Sequence, residues 1–357
     1  MVGQMLMAGF RGTSVDPESP VARDLLQYHL GGVILFSHDV ELGSGPRNIE
    51  NPAQLQKLTW ALQTINSTPL FIAVDQEGGL VQRLNAKNGF RETDSAAILG
   101  QVPDDLLATM AAGLGIGKQL SDQGINIDFA PVLDVNVNPD CPAIGKLGRS
   151  FSADPKVVAE HGKAFIDMLH EGGVLSCVKH FPGHGSSTTD SHLGLPDVTA
   201  TWTQAELAPF TSILRSGRAD MVMTAHLFNT DWDPDHPASL SRHVITGMLR
   251  KSIGFEGVVV TDDLNMRAIT DRYGLEEAIF LAINAGCDIL LFGNNLTFDP
   301  DIVPKAHAII MNLVATDRIS PWRILQSWRR INALKTQLNP SSPLLPPDTP
   351  LVPTSMQ

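Results

Sequence analysis

Short apolar runs recur along this chain, separated by segments with helical patterning. Residues 5–10, 31–36, 70–74, 125–131, 174–178, 221–227, 257–263 and 288–293 each read as a buried strand bounded by Gly, Pro or polar residues. Helix signals fill the intervals. Pro20 opens a helix to His29, and Asn51 caps another, with Pro52 at its first position, that runs to about Ile65. A third lies near 106–120. Asp154-Pro155 starts a fourth that stops at Gly172-Gly173, Thr203 starts one to Arg215, and Ser241 caps the next. Residues 275–285 are helical, and two helices follow the eighth strand, the last running from Ser320-Pro321 to about Leu338.

The strands carry no hairpin signal between them, so they are expected to pair in parallel with both faces covered. Eight such units predict an α/β fold, a single closed (β/α)8 (TIM) barrel over residues 1–338. A doubly wound open sheet would need a Gly-rich phosphate-binding turn after its first strand, where this chain has Arg11-Gly12. Residues 339–357 are rich in Pro and Ser without periodicity and are expected to form a disordered or surface-draped tail.

Composition narrows the class. The 357 residues are 43% hydrophobic and 18% charged, with a formal net charge of −12. That balance argues against nucleic acid or an anionic membrane as partner, since both reward a basic face. No apolar stretch approaches the roughly 18 residues of a membrane-spanning helix. Met1-Val2-Gly3-Gln4 lacks the basic start of a secretory signal. The expected location is the cytoplasm, with upstream targeting residues left open. Cys141, Cys177 and Cys287 are few and odd in number, which fits buried thiols better than a disulfide framework.

Candidate chemistry collects where the barrel reading places it, at the carboxyl ends of the strands. Asp75 and Glu77 end the third strand and Asp134 follows the fourth. Lys179 and His180 end the fifth, His226 the sixth, and Asp262-Asp263 the seventh. The densest stretch is Lys179-His180-Phe181-Pro182-Gly183-His184-Gly185-Ser186-Ser187-Thr188-Thr189-Asp190-Ser191-His192. Asp190 and His192 lie two apart, and in extended backbone such residues project to the same side. An aspartate beside an imidazole orients the ring and favours its protonated form, a suitable acid–base pair near neutral pH. Strand alternation makes Asp263 structural if Asp262 faces the mouth. His184 and His226 read as support, and Glu77 as a brace for its loop.

The stretch from Lys179 to His192 resembles the signature loop of glycoside hydrolase family 3, and specifically of its bacterial β-N-acetylglucosaminidases (β-hexosaminidases of peptidoglycan recycling). The likeness extends to Val2-Gly3-Gln4-Met5-Leu6-Met7, Val74-Asp75-Gln76-Glu77-Gly78-Gly79 with Val81-Gln82-Arg83, Phe129-Ala130-Pro131-Val132-Leu133-Asp134-Val135, Gly148-Arg149-Ser150-Phe151, Met223-Thr224-Ala225-His226 and the segment from Gly257 to Met266. The resemblance implies that Asp262 is the nucleophile and His192 the general acid and then base, with Asp190 as its partner. It implies that Asp75, Arg83, Arg149, Lys179 and His180 hold the sugar. The low aromatic share, 6% with two tyrosines, favours a small soluble substrate, an amino-sugar or muropeptide on the resemblance, over a long polysaccharide, and no cofactor or metal is expected. The chain departs from the subfamily at Gln76, where a histidine is common, at Leu80, where an arginine is common, at Thr261 in place of a serine, and at Lys146-Leu147, a small insertion. Those changes are expected on the sugar-binding rim.

Three other readings share these residues. Asp262 and Asp263 could instead assist attack by the substrate's own acetamido oxygen. His180, His184, His192 and His226 could ligate zinc, but residues 5–10 lack the His-x-His pair usual on the first strand of such barrels. A non-catalytic sugar-binding protein would have little reason to keep both Asp262 and the Asp190–His192 pair.

Overall fold

The computed structural model describes residues 1–66, 68–190 and 194–338. The tail expected at 339–357 therefore lies outside the described residues, as does His192. Eight parallel strands form one sheet: β1 (Leu6–Gly9), β2 (Gly32–Ile34), β3 (Phe71–Val74), β4 (Ile127–Asp128), β5 (Leu175–Phe181), β6 (Met221–Thr224), β7 (Val258–Thr261) and β8 (Leu290–Phe292). Each pairs with its neighbour in sequence, and β8 returns to β1 through Met7↔Leu291. The remaining seam between β7 and β8 is closed by a parallel bridge, Val260↔Ile289, and by Thr261 N–H donating to Ile289 O at 3.1 Å. The expected (β/α)8 barrel is thus formed. Every strand residue except Leu175 is buried, because neighbours cover both faces.

The crossover helices sit where their caps put them. Asn51 accepts from Gln54 N–H at 3.0 Å and opens α2 (Pro52–Ile65), after α1 (Pro20–Tyr28). α3 spans Leu107–Asp122, and α4 (Pro155–Glu171) ends at Gly172, with Gly173 at φ 87°. Thr203 and Glu206 form a capping box at the start of α5 (Gln204–Arg215). Ser241 Oγ accepts from Val244 N–H at 3.3 Å ahead of α6 (His243–Ile253), which winds with π-helical hydrogen bonding. α7 (Leu275–Ala285), α8 (Ile302–Ala315) and α9 (Pro321–Lys335) complete the ring.

One feature departs from the sequence pattern. Gln76–Gly78 and Val81–Gln82 pair antiparallel, a two-stranded ribbon directly after β3. Its flanks are too short to show apolar alternation, so no hairpin is expected there. Gly78 and Gly79 nevertheless supply the positive φ values, 92° and 60°, that the reversal requires.

Asp288 ties the amino end of the barrel together. It lies just before β8, fully buried, and accepts from Arg250 at 2.6 Å, Ser327 Oγ at 2.7 Å and Val259 N–H at 3.1 Å. Arg330 and Arg323 stand 3.3 and 3.5 Å away. Arg323, Ser327 and Arg330 share one face of α9, so the last helix is clamped onto the barrel floor. Breaking a buried pair from one side leaves uncompensated charge. Asp288→Ala is therefore expected to lower stability by about 3–5 kcal/mol, read from urea unfolding; a loss below about 1 kcal/mol would contradict the clamp.

Candidate active site

The carboxyl ends of β3, β4 and β5 meet in one network of alternating charge. Lys179, near the end of β5, is buried and donates to Asp75 Oδ1 at 2.8 Å; its Nζ lies 2.6 Å from Glu77 Oε1. Arg83, from the far end of the ribbon, reaches the other Asp75 oxygen at 3.1 Å. Arg149 grips Glu77 with two nitrogens, at 2.7 and 2.8 Å, and donates to Ala143 O at 2.8 Å. Forked pairs of this kind are among the strongest charge-assisted hydrogen bonds. The same guanidinium lies 3.3 Å from His180 Nε2. A carboxylate can only accept, so the other ring nitrogen, Nδ1, carries a proton toward Asp134. Nδ1–H then donates to Asp134 Oδ2 at 2.7 Å, while Asp134 Oδ1 takes the backbone N–H of His184 at 2.8 Å.

Burial disfavours the charged carboxylates here, and the cations overcome it. Lys179 and Arg83 hold Asp75 well below the usual carboxylate range. Burial raises Glu77, but Arg149 and Lys179 outweigh it and bring it down to about 2. Burial likewise opposes ionisation of Asp134, and His180 draws it below its ordinary value. Arg149 and Lys179 are raised in turn, against the same desolvation. The network presents fixed N–H donors beside carboxylate acceptors, the pairing needed to orient a polyhydroxylated ring.

Asp262 stands just past β7. Its N–H donates to Thr224 O at 3.2 Å, and its Oδ1 accepts from Asp263 N–H at 2.8 Å. Asp263 is turned to a structural task. Its Oδ1 takes the N–H groups of Gly293 at 2.7 Å and Asn265 at 2.9 Å, and its carbonyl accepts from His226 Nε2 at 3.0 Å. A Cβ on Gly293 would lie 2.3 Å from Asp263 Oδ2, so glycine is required for this approach. In the cyclic strand order β7 lies across the barrel from β3. Asp75 thus belongs to the wall opposite Asp262, and Lys179 and His180, on β5, stand two strands from β7, all at the same end of the barrel.

Residues 1–334 match the family model described as the glycosyl hydrolase family 3 N terminal domain. This chain belongs to glycosyl hydrolase family 3. Among relatives of the family 3 chain, the beta-hexosaminidase A of Pseudoalteromonas piscicida is 36% identical over 96% of the chain, and the beta-hexosaminidase of Tolumonas auensis is 38% identical over 81%. The solved family 3 beta-N-acetylglucosaminidase of a Paenibacillus species superimposes with a TM-score of 0.85 at 38% identity over 94% of the chain. The chain spans 61% of the Pseudoalteromonas protein, 83% of the Tolumonas protein and 61% of the Paenibacillus chain.

The family 3 barrel brings together the five residues expected to hold a sugar: Asp75, Arg83, Arg149, Lys179 and His180. Asp262 is at the same end. Asp190 closes the described part of the loop after β5, where Ser187 Oγ donates to Thr189 O at 2.6 Å, and its expected partner His192 lies outside the described residues. Asp134 was visible as a strand-end carboxylate, but its grip on both His180 and His184 depends on folding. Glu77 braces more than its own loop, since it bridges Lys179 and Arg149.

Two of the family departures do not reach the rim. Gln76 turns inward and bonds both backbone groups of Leu84 at 2.9 Å, and Thr261 Oγ1 accepts from Leu291 N–H at 3.0 Å across the β7–β8 seam. The other two lie at the surface: Leu80, 74% exposed at the ribbon tip, and Lys146-Leu147 line a cleft of about 570 Å³ with Glu92, Asp94 and Ile98.

Glu77 carries a pH signature. Its folded pKa, about 2, lies below the ordinary 4.5, so its stabilisation is complete above pH 4.5 and lost as pH falls toward 2. Glu77→Gln should lower the melting temperature at pH 7 and make its further fall between pH 4.5 and 2 shallower than in wild type. Parallel curves for the two proteins would refute this, with thermal unfolding across a pH series as the measurement.

Proposed function

We propose that this chain is a retaining exo-β-N-acetylglucosaminidase that removes terminal non-reducing N-acetyl-β-D-glucosamine from peptidoglycan-derived muropeptides. The observation that carries the reading is that Asp262, after β7, shares one end of the barrel with the cation–carboxylate network, whose Asp75 stands on the opposite wall and whose Lys179 and His180 stand two strands away. A single sugar ring bridging the two walls would have its hydroxyls held by Asp75, Arg83, Arg149, Lys179 and His180, with its anomeric carbon toward Asp262. The beta-hexosaminidase relatives and the solved beta-N-acetylglucosaminidase support the choice of sugar.

In the first step an Asp262 oxygen bonds the anomeric carbon as the bond to the leaving oxygen breaks. His192, paired with Asp190, gives that oxygen a proton. In the second step water attacks the same carbon, returns its proton to His192 and frees Asp262. Two inversions give net retention, as in glycosidases that use two carboxylates. Histidine in the acid–base role suits neutral pH. The site's chemistry is complete with these side chains and water, so we propose no cofactor. The engagement of Asp263 by Gly293 and Asn265 favours this route over substrate assistance, which would call on both aspartates.

Hydrolysis of a chromogenic β-N-acetylglucosaminide tests the proposal. Asp262→Asn and His192→Ala are each expected to lose at least about a hundredfold in kcat, the scale of a general acid–base group. A slow fluorinated glycoside should add the mass of one sugar to the peptide containing Asp262. An unmodified peptide from inactivated enzyme would rule out the covalent route.

A further inference from the structure

The loop that follows β5 is gripped at its root from two sides. On one side Asp134 takes the N–H of His184, while Asn138 donates from its backbone to Gly185 O at 3.0 Å and from its side chain to Ser187 O at 3.0 Å. On the other side stands the start of α5. The Trp202 indole donates to Pro182 O at 3.3 Å, and Glu206 Oε2 accepts from Ser186 N–H at 3.1 Å.

Glu206 is placed oddly for a helix cap. Its Oε1 completes the capping box by accepting from Thr203 N–H at 3.4 Å, a task that a solvent-facing carboxylate performs equally well. Here the whole residue is buried. Burial, reinforced by Asp134 and opposed by the bonds from Ser186, pushes its carboxyl up to about 7. The loop is shaped to admit it. Gly183 has φ 124°, and a Cβ there would lie 2.7 Å from the Glu206 Cβ. A buried carboxylate kept at a desolvation cost, against a glycine cut to fit, implies a function beyond ending a helix.

We propose that Glu206 is a positioning residue for proton transfer: by fixing the Ser186 amide it sets where the run toward Asp190 begins, and so how the acid–base pair is presented to the leaving oxygen. This rests on the roles given above to Asp190 and His192. Glu206 touches no reacting atom in this scheme and acts through the loop.

The test is the dependence of kcat/KM on leaving group across 2,4-dinitrophenyl, 4-nitrophenyl and methyl β-N-acetylglucosaminides. Dinitrophenolate departs without a proton, whereas methoxide needs one. Glu206→Ala is expected to stay within about threefold of wild type on the dinitrophenyl substrate and to lose about thirtyfold or more on the methyl glycoside, part of the roughly hundredfold that general acid help provides. Glu206→Gln keeps an acceptor for Ser186 N–H and should recover most of that loss. Gly183→Ala crowds the same joint with the carboxylate intact and should reproduce the selective loss, so the test survives even if Glu206→Ala does not fold. Equal losses on all three substrates in folded variants, or none, would reduce Glu206 to a helix cap. A wild-type protein that hydrolyses none of the series would instead overturn the functional reading itself.

Discussion

A buried ammonium organises the mouth of this barrel. Lys179 lies between Asp75 and Glu77 and, together with Arg83 and Arg149, offsets the cost of keeping both carboxylates charged at that depth. Removing an ion from water costs several kcal/mol even after relaxation, so each group is tolerable only because the others are present. Arg83 and Arg149 extend the arrangement outward, and His180, beside Lys179 on β5, links it to Asp134 in the loop after β4. The result is a set of donors and acceptors whose positions are settled before any ligand arrives, the condition for binding without large reorganisation.

The barrel makes such a site possible by dividing labour between its ends. The amino end is closed by Asp288 and the α9 arginines, and by Lys335, whose Nζ donates to Gln4 Oε1 at 2.7 Å and Gly31 O at 2.8 Å. That end carries the clamps that stabilise the fold. The carboxyl end is then free to carry groups chosen for chemistry, each on a strand end held by neighbours on both sides. Close backbone packing tightens the frame: a Cβ at Gly185 would fall 1.7 Å from Val135 O, so the loop after β5 lies directly against the one after β4. Asp134, reaching from one loop to the other, exploits that contact.

The buried thiols illustrate the same economy of interior space. Cys141, Cys177 and Cys287 are all free and buried, and burial raises Cys287 to about 12, so they behave as small apolar groups. The residues that distinguish this chain from its subfamily divide similarly. Gln76 and Thr261 have been absorbed into the frame, while Leu80 and Lys146-Leu147 line a surface cleft that contains none of the network residues.

The sequence by itself determined the alternation of eight buried strands with capped helices, and with it the barrel, because apolar runs and capping residues act locally and leave local traces. It also placed Asp75, Lys179, His180 and Asp262 at strand ends, since a barrel puts those positions on one face. What it could not carry was partnership. That Glu77 bridges Lys179 and Arg149, that Asp134 orders His180, that Asp263 belongs to β8, and that Glu206 reaches the loop after β5 are facts about residues 20 to 102 positions apart. The ribbon after β3 escaped for a related reason, being too short for its period to register and visible only once its two halves pair. Hydrogen bonds and ion pairs have ranges of a few ångströms in space and none along the chain, so only the closed barrel could decide them.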